Sequence, residues 1–326
     1  MRLVMMGTGT FAEPIFEALL TGPHPVVGLV TNPDRPIGQE RGSTRQVGKG
    51  MKTIALAHQV PVFQPESINT PEGVEGLRAF RPDLLVVAAY GQILSGEVLA
   101  VPPQGGINVH ASLLPKYRGA APIAWAIYHG ETRTGVTIIR MSVHLDAGDM
   151  LAQEAVDIGP EETTGELEAR LAPLGARLAL QTIEQIANGT THGVKQDKGA
   201  VTRAPKLTKE HGLIDWTRPA RDIGNHIRAM QPWPTAYTFL HQPGQEPLRV
   251  ILQKAAWHED AKETGRAPGK PILSFQESLQ LHVAAGGHTR VEILELQPAG
   301  KRRMTAAEFL RGKLLRAEDF FGPPTS

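Results

Sequence analysis

The sequence predicts an α/β fold: a Rossmann-like doubly wound domain followed by a small β-barrel. Three observations carry that prediction. Apolar strand-like runs alternate with helical patterns through the first 189 residues. Residues 84–89 are apolar throughout, as in a strand buried on both faces of a parallel sheet. After Asn188-Gly189 the pattern changes to short strands punctuated by Gly and Pro.

The elements follow in order. Residues 2–6 read as the first strand. Phe11, Ile15, Phe16, Leu19 and Leu20 then share one face of a helix over 12–20. Strand 26–31, helix 52–58 and short strand 60–64 come next, then strands 84–89, 106–110, 135–141 and 150–156. A long helix spans 161–187, with Thr163 or Thr164 as its cap. Residues 190–206 are polar with little periodicity and read as a linker. Residues 207–235 are partly helical and end in Pro232-Trp233-Pro234. Strands at 236–240, 248–255, 279–283 and 291–297 have the spacing of a small barrel. Residues 323–326 read as a tail.

Composition narrows the function classes. The 326 residues include no cysteine, which excludes disulfides and thiolate metal sites. No apolar stretch approaches the roughly 20 residues needed to span a bilayer, and the lack of cysteine makes a reducing cytoplasm the expected setting. Residues 1–190 hold 14 Lys/Arg against 19 Asp/Glu, a net −5, and residues 191–326 hold 20 against 14, a net +6. The basic second half suits a polyanionic partner; ordinary variation between two domain surfaces is the alternative.

The most informative segment runs from Ile107 to Gly119. It opens with Asn108-Val109-His110, and in a strand Asn108 and His110 project together. The amide is a neutral donor, and imidazole exchanges a proton near neutral pH. That pair suits negative charge building on a carbonyl oxygen. Asp146, 36 residues beyond His110, offers a carboxylate to orient the histidine. Sites in α/β sheets assemble at the carboxyl ends of parallel strands. Tyr90-Gly91-Gln92-Ile93-Leu94 would wall the same crevice, and Gly119 with the Leu114-Pro115 turn lets backbone approach a ligand. G-x-S-x-G, H-E-x-x-H and a nucleophilic cysteine are all absent, so serine, zinc and thiol hydrolysis have no support. Direct transfer through a tetrahedral intermediate remains.

Two further motifs compete. Gly7-Thr8-Gly9-Thr10-Phe11-Ala12, with Asp34 beyond the next strand, fits a dinucleotide pattern. Any tight strand-to-helix turn favours the same glycines. The segment 41–52 is basic and glycine-rich. It is either a loop for phosphates, through Arg41, Arg45 and Lys49, or a solvated surface.

These residues resemble the 10-formyltetrahydrofolate-dependent formyltransferases. The likeness covers nearly the whole chain: Pro82-Asp83-Leu84 through Leu94, Ile107 through Pro122, Thr134-Gly135-Val136-Thr137 and Asp146 through Leu151. In the second half it includes Ile214-Asp215-Trp216, Pro232-Trp233-Pro234, 296–301 and 309–312. His110-Ala111-Ser112 favours the branch that formylates charged tRNA, because the purine-nucleotide branch usually has proline after the histidine. The resemblance implies a catalytic domain over 1–189, a linker over 190–206, an OB-like tRNA-binding domain over 207–322 and a tail over 323–326. It implies 10-formyltetrahydrofolate as co-substrate, no metal, and the α-amine of methionyl-initiator tRNA as acceptor. Asn108, His110 and Asp146 would be catalytic, the first two stabilising the oxyanion. Gln92, Ile93, Leu94, Val109, Ser112, Leu113, Leu114 and Pro115 would hold the folate. Arg41, Arg45, Lys49, Lys206, Lys209, Arg302 and Arg303 would contact tRNA. A monomer without protein partners is expected. Formylation of a nucleotide-linked amino sugar, and a non-enzymatic folate- or RNA-binding role, are the alternatives. The chain departs from the family pattern at His144, where a small residue is usual, and in the basic residues after Arg41-Gly42.

Overall fold

The computed structural model describes residues 1–34, 48–258, 266–275 and 279–324. The chain divides into two compact units. The first comprises Met1–Ala126, Thr132–Gly159 and Gly165–Lys206; the second comprises Ile127–Glu131, Pro160–Thr164 and Leu207–Ser326.

The first unit is built on a seven-stranded sheet. In chain order its elements are β1 (Leu3–Gly7), α1 (Ala12–Leu20), β2 (Val26–Val30), α2 (Met51–Ala57), β3 (Val62–Phe63) and α3 (Pro71–Ala79). They continue with β4 (Leu84–Ala88), α4 (Gly96–Leu99), β5 (Gly106–His110), β6 (Arg118–Gly119), α5 (Pro122–Tyr128), β7 (Arg133–Arg140), β8 (Met150–Asp157) and α6 (Thr164–Ala187). The strand order is β3-β2-β1-β4-β5-β7-β8. The first five strands are parallel, and β7 and β8 join antiparallel. Strand order reverses between β1 and β4, which opens a crevice at their carboxyl ends. β1 and β4 are buried along their whole length, as an apolar run in a doubly covered sheet must be.

α3 has clear local causes. Thr70 caps it by accepting a hydrogen bond from Gly73 N at 3.1 Å, and Pro71 sits at the first helical position. Val74 and Leu77 join Val4, Met6, Val30, Leu85, Val87, Tyr90, Leu94 and Val98 in one core. On α6, the space for a Cβ at Gly175 is taken by Val109 Cγ1 at 2.8 Å, so helix and β5 meet closely.

Residues 190–206, which the sequence reads as a linker, pair with strands of the first unit. Val194 pairs with Met150, and β9 (Arg203–Ala204) runs parallel to β6. Exposed polar side chains hide this from periodicity, because the pairing uses backbone groups.

The second unit is an antiparallel half-barrel. Its elements are α7 (Ala220–Ala229), β10 (Ala236–His241), β11 (Leu248–His258), β12 (Pro271–Phe275), β13 (Leu279–Ala284), β14 (Arg290–Pro298), β15 (Met304–Thr305), α8 (Ala306–Gly312) and β16 (Phe320–Gly322). The strand order is β12-β13-β14-β11-β10-β16, with β15 on β14. Alternation along β10 and β14 buries one face, including Val291 and Ile293. α7 lays Ile223 and Ile227 on this face, and α8 starts with a capping box between Thr305 and Glu308. The tail is described to Pro324, and the Pro323 carbonyl accepts a hydrogen bond from His241 Nε2 at 2.8 Å.

Candidate active site

β5 ends in the crevice and sets the site. Its odd positions, Ile107 and Val109, are buried in apolar core, so Asn108 and His110 project from the other face. Asp146 comes from the loop between β7 and β8. β7 pairs with β5, placing Ile139 beside Asn108 and Thr137 beside His110. The antiparallel return therefore brings a residue 36 positions away back to the end of β5.

Asn108, His110 and Asp146 do meet. Asn108 Nδ2 donates to Asp146 Oδ1 at 3.2 Å. His110 Nδ1 lies 3.7 Å from Asp146 Oδ2, too far for a hydrogen bond and ionic only when the imidazole is protonated. Both side chains are sheltered, at 5% and 8% exposure. The second oxygen of Asp146 accepts instead from Gly119 N at 2.9 Å. His110 is held as well at its other nitrogen, where Nε2 contacts the Tyr117 carbonyl at 2.9 Å. A carbonyl can only accept, so Nε2 carries the proton and Nδ1 faces the carboxylate. The unprotonated Nδ1 and the neighbouring carboxylate oxygen are therefore both proton acceptors at the crevice.

The loop after His110 is fixed by its own polar groups. Thr137 Oγ1 donates to Ser112 O at 2.6 Å and accepts from Leu114 N at 3.2 Å. Gln153 Nε2 donates to Leu114 O at 3.0 Å, and Ser112 Oγ donates to Lys116 O at 2.7 Å. The Ser112 side chain is therefore consumed by the loop rather than offered to a ligand. Val109, Leu114 and Leu94 are also buried among protein side chains, so only their backbone can reach a folate. Leu113 and Pro115 are half-buried.

Across the crevice, Gln92 is also used internally. Its Oε1 accepts from Ile68 N at 3.0 Å and its Nε2 donates to Asn32 Oδ1 at 3.0 Å. Asn32 in turn donates to Tyr90 O at 2.8 Å and to Thr8 Oγ1 at 3.1 Å. The turn after β1 is thereby stitched to the neighbouring loops. Tyr90 itself is buried, which pushes its phenol up to about 12. By contrast Ile93, Val143 and Leu145 are 64%, 57% and 46% exposed. The latter two precede Asp146 in the same loop and escape sequence reasoning because loop residues carry no period. His144 is exposed, and its hydrogen bonds are made through its backbone to Ser142 and Ala147.

The expected tRNA contacts are surface residues. Lys206 and Lys209 are exposed. Arg302 pairs with Glu308 at 2.9 Å, Arg303 pairs with Glu295, and Lys49 pairs with Glu17 at 2.7 Å. Arg41 and Arg45 lie outside the described residues. Among the described residues, one group has metal-ligand composition: His258, His282 and Glu292, with ligand atoms within 4.8 Å of one another. His258 already pairs with Glu292 at 2.9 Å. His282 is held low, by burial first and by Arg290 and His258 beside it, against the opposing Glu292. The only carboxylate of this group is thus partnered within the protein, beside a fixed cation.

Two sequence profiles cover the chain: formyl transferase over residues 1–183, and formyl transferase, C-terminal domain, over 206–314. The chain belongs to the formyl transferase family. It is 44% identical to the methionyl-tRNA formyltransferase of Geobacillus thermodenitrificans, over 95% of this chain and 94% of that one. It is 41% identical to the methionyl-tRNA formyltransferase of Bacillus subtilis, over 98% of each. In fold it is similar to the N-formyltransferase from Helicobacter canadensis solved with folinic acid and dTDP-3-aminofucose. That match has 16% identity and a TM-score of 0.63, over 90% of this chain and 98% of that one. Neither half of this formyl transferase has a helix, among the described residues, long and apolar enough to cross a membrane.

Proposed function

We propose that the chain transfers the formyl group of 10-formyltetrahydrofolate to the α-amine of methionyl-initiator tRNA. The observation that carries this is Asn108, His110 and Asp146 gathered at one crevice in a chain whose relatives at 41–44% identity are methionyl-tRNA formyltransferases. The folate lies with its apolar ring against Ile93, Val143 and Leu145, where exposed apolar surface awaits a cover. Its formyl carbon sits before Asn108 and His110.

The amine attacks the formyl carbon directly. Asn108 Nδ2 spends one hydrogen on Asp146, which leaves its second N–H for the oxyanion. One such donor is worth about 10²–10³ in rate. The ammonium formed on attack gives its proton to His110 Nδ1, the imidazole nitrogen that carries none. Protonated His110 then pairs with the carboxylate 3.7 Å away and offers positive charge to the intermediate. Collapse expels the tetrahydrofolate nitrogen, which takes the proton back.

In this reading Lys49, Lys206, Lys209, Arg302 and Arg303 contact phosphates, together with Arg41 and Arg45. The work takes place in the cytoplasm, where charged tRNA is found. One chain supplies all three catalytic groups, so a monomer suffices. The test offers methionyl-tRNA and an amino-sugar nucleotide as parallel acceptors. Formylmethionyl-tRNA is the expected product; transfer to the sugar alone would replace the acceptor and keep the chemistry.

A further inference from the structure

Asp146 occupies a left-handed backbone conformation, with φ +48°. That is costly for a residue other than glycine, and it persists only where surroundings enforce it. The enforcing contacts come from Gln196, in the segment 190–206, which takes no part in the chemical step proposed above. Gln196 Nε2 donates one hydrogen to Asp146 O and the other to Gly148 O, both at 2.8 Å. Its Oε1 accepts from Arg118 Nε at 3.1 Å and from the same guanidinium's terminal nitrogen at 2.7 Å. The amide can point only one way, because arginine cannot accept and carbonyls cannot donate. Both amide hydrogens and the amide oxygen of Gln196 are thus used.

The residue after Arg118, Gly119, gives its N–H to the Asp146 carboxylate. Tyr117, the residue before it, holds His110 through its carbonyl. The segment 117–119 therefore touches both catalytic acid–base groups. It is itself held to the 190–206 segment by Arg118 N to Thr202 O at 3.0 Å and by Tyr117 N to Thr202 Oγ1 at 2.8 Å. On the opposite side Met150 and Val194 exchange two backbone bonds of 2.8 Å. Gln196 lies between these anchors, where it can set the spacing between His110 and Asp146.

We propose that Gln196, braced by Arg118, is a positioning residue for formyl transfer, fixing the Asp146 loop against the segment that holds His110. The inference rests on the reaction proposed above. It acts on turnover rather than on substrate binding, because Gln196 contacts neither catalytic side chain.

The test compares Gln196→Ala and Gln196→Glu with the unaltered chain in two readouts. The first is steady-state transfer from 10-formyltetrahydrofolate to methionyl-tRNA. The second is hydrogen exchange at the Gly119 amide, which needs no acceptor. Gln196→Ala should lower kcat about 10- to 100-fold, within the range for displaced catalytic groups. Both KM values should stay within about threefold, and Gly119 exchange should quicken by at least about tenfold, since it reports the bond to Asp146. Gln196→Glu keeps a partner for Arg118 but turns negative oxygens toward two carbonyls. It should be no better than Gln196→Ala at neutral pH, whereas a role confined to anchoring the strand would leave it near full activity. Full kcat in Gln196→Ala, or Gly119 exchange that stays as slow as in the parent, overturns the proposal. If the parent chain makes no formylmethionyl-tRNA, the acceptor reading fails, and the exchange of Gly119 alone decides whether Gln196 positions Asp146.

Discussion

Asp146→Asn separates the charge of this residue from its shape. The carboxylate accepts from Asn108 Nδ2 through one oxygen and from Gly119 N through the other, with His110 Nδ1 beside the second. An amide of equal size has one acceptor, so its NH₂ must face one of those two donors. Leaving such a buried donor unpaired costs about 1–3 kcal/mol. Each kcal/mol lowers the unfolding midpoint of a domain this size by about 2–4 °C. The kinetic effect is separate. The variant loses the negative charge that accompanies a protonated His110. General acid–base groups contribute about 10²–10⁴ in rate, which corresponds to about 2.7–5.4 kcal/mol of barrier. Thermal unfolding followed by circular dichroism reads the first effect, and single-turnover formyl transfer reads the second. A folded variant with transfer within about tenfold of the parent would refute the role given to Asp146.

Other perturbations follow from the same geometry. At Gly119, φ is +131° and a Cβ would lie 2.4 Å from Ala204 O, so Gly119→Ala should displace the N–H that holds Asp146. Transfer should fall at least about tenfold with global fold retained, as circular dichroism and an activity assay report. Reversing the charge of exposed Lys206 and Lys209 should flatten the salt dependence of tRNA binding, by about one in log–log slope for each phosphate no longer neutralised. Reversing Arg302 and Arg303, which pair with Glu308 and Glu295, should flatten it less; filter binding across a salt series distinguishes them. His226 is buried, donates Nε2–H to His211 O at 2.7 Å, and burial lowers it to about 4. Because the unfolded chain takes up the proton first, stability is full above about pH 6.5 and is lost as pH falls toward 4. The full loss is about 3 kcal/mol. Urea unfolding at neutral and at mildly acidic pH should show it, and His226→Gln should reduce it.

Strongly patterned elements were legible in the sequence. The apolar runs that become β1, β4 and β5, and the long period of α6, leave one reading each. Strand direction was not legible: β7 is as apolar as a parallel strand, yet it runs antiparallel to β5 and so delivers Asp146. β12 escapes pattern reading because its five residues start at a proline and present no clear alternation. α3 was missed in the sequence, although Thr70-Pro71 with Glu72 following encodes its start. The pairing of Asn108 with His110 was legible because alternation places them on one face. Its support was not, because Tyr117 and Gly119 act through backbone groups, which no side-chain pattern encodes. Gln196 is hidden for another reason: a lone polar residue in a polar stretch looks like solvent-facing surface. Val109, Leu114 and Leu94 show the converse limit: neighbourhood in sequence does not tell that packing turns their side chains into the core and leaves only backbone toward the crevice.

The most direct measurement is single-turnover formyl transfer to methionyl-tRNA by His110→Ala, with 10-formyltetrahydrofolate and chain both saturating. Direct attack assisted by His110 requires a fall of at least about 10² in rate, with folate affinity little changed. A folded His110→Ala chain that transfers formyl at the parent rate would contradict the Asn108–His110–Asp146 mechanism at its centre.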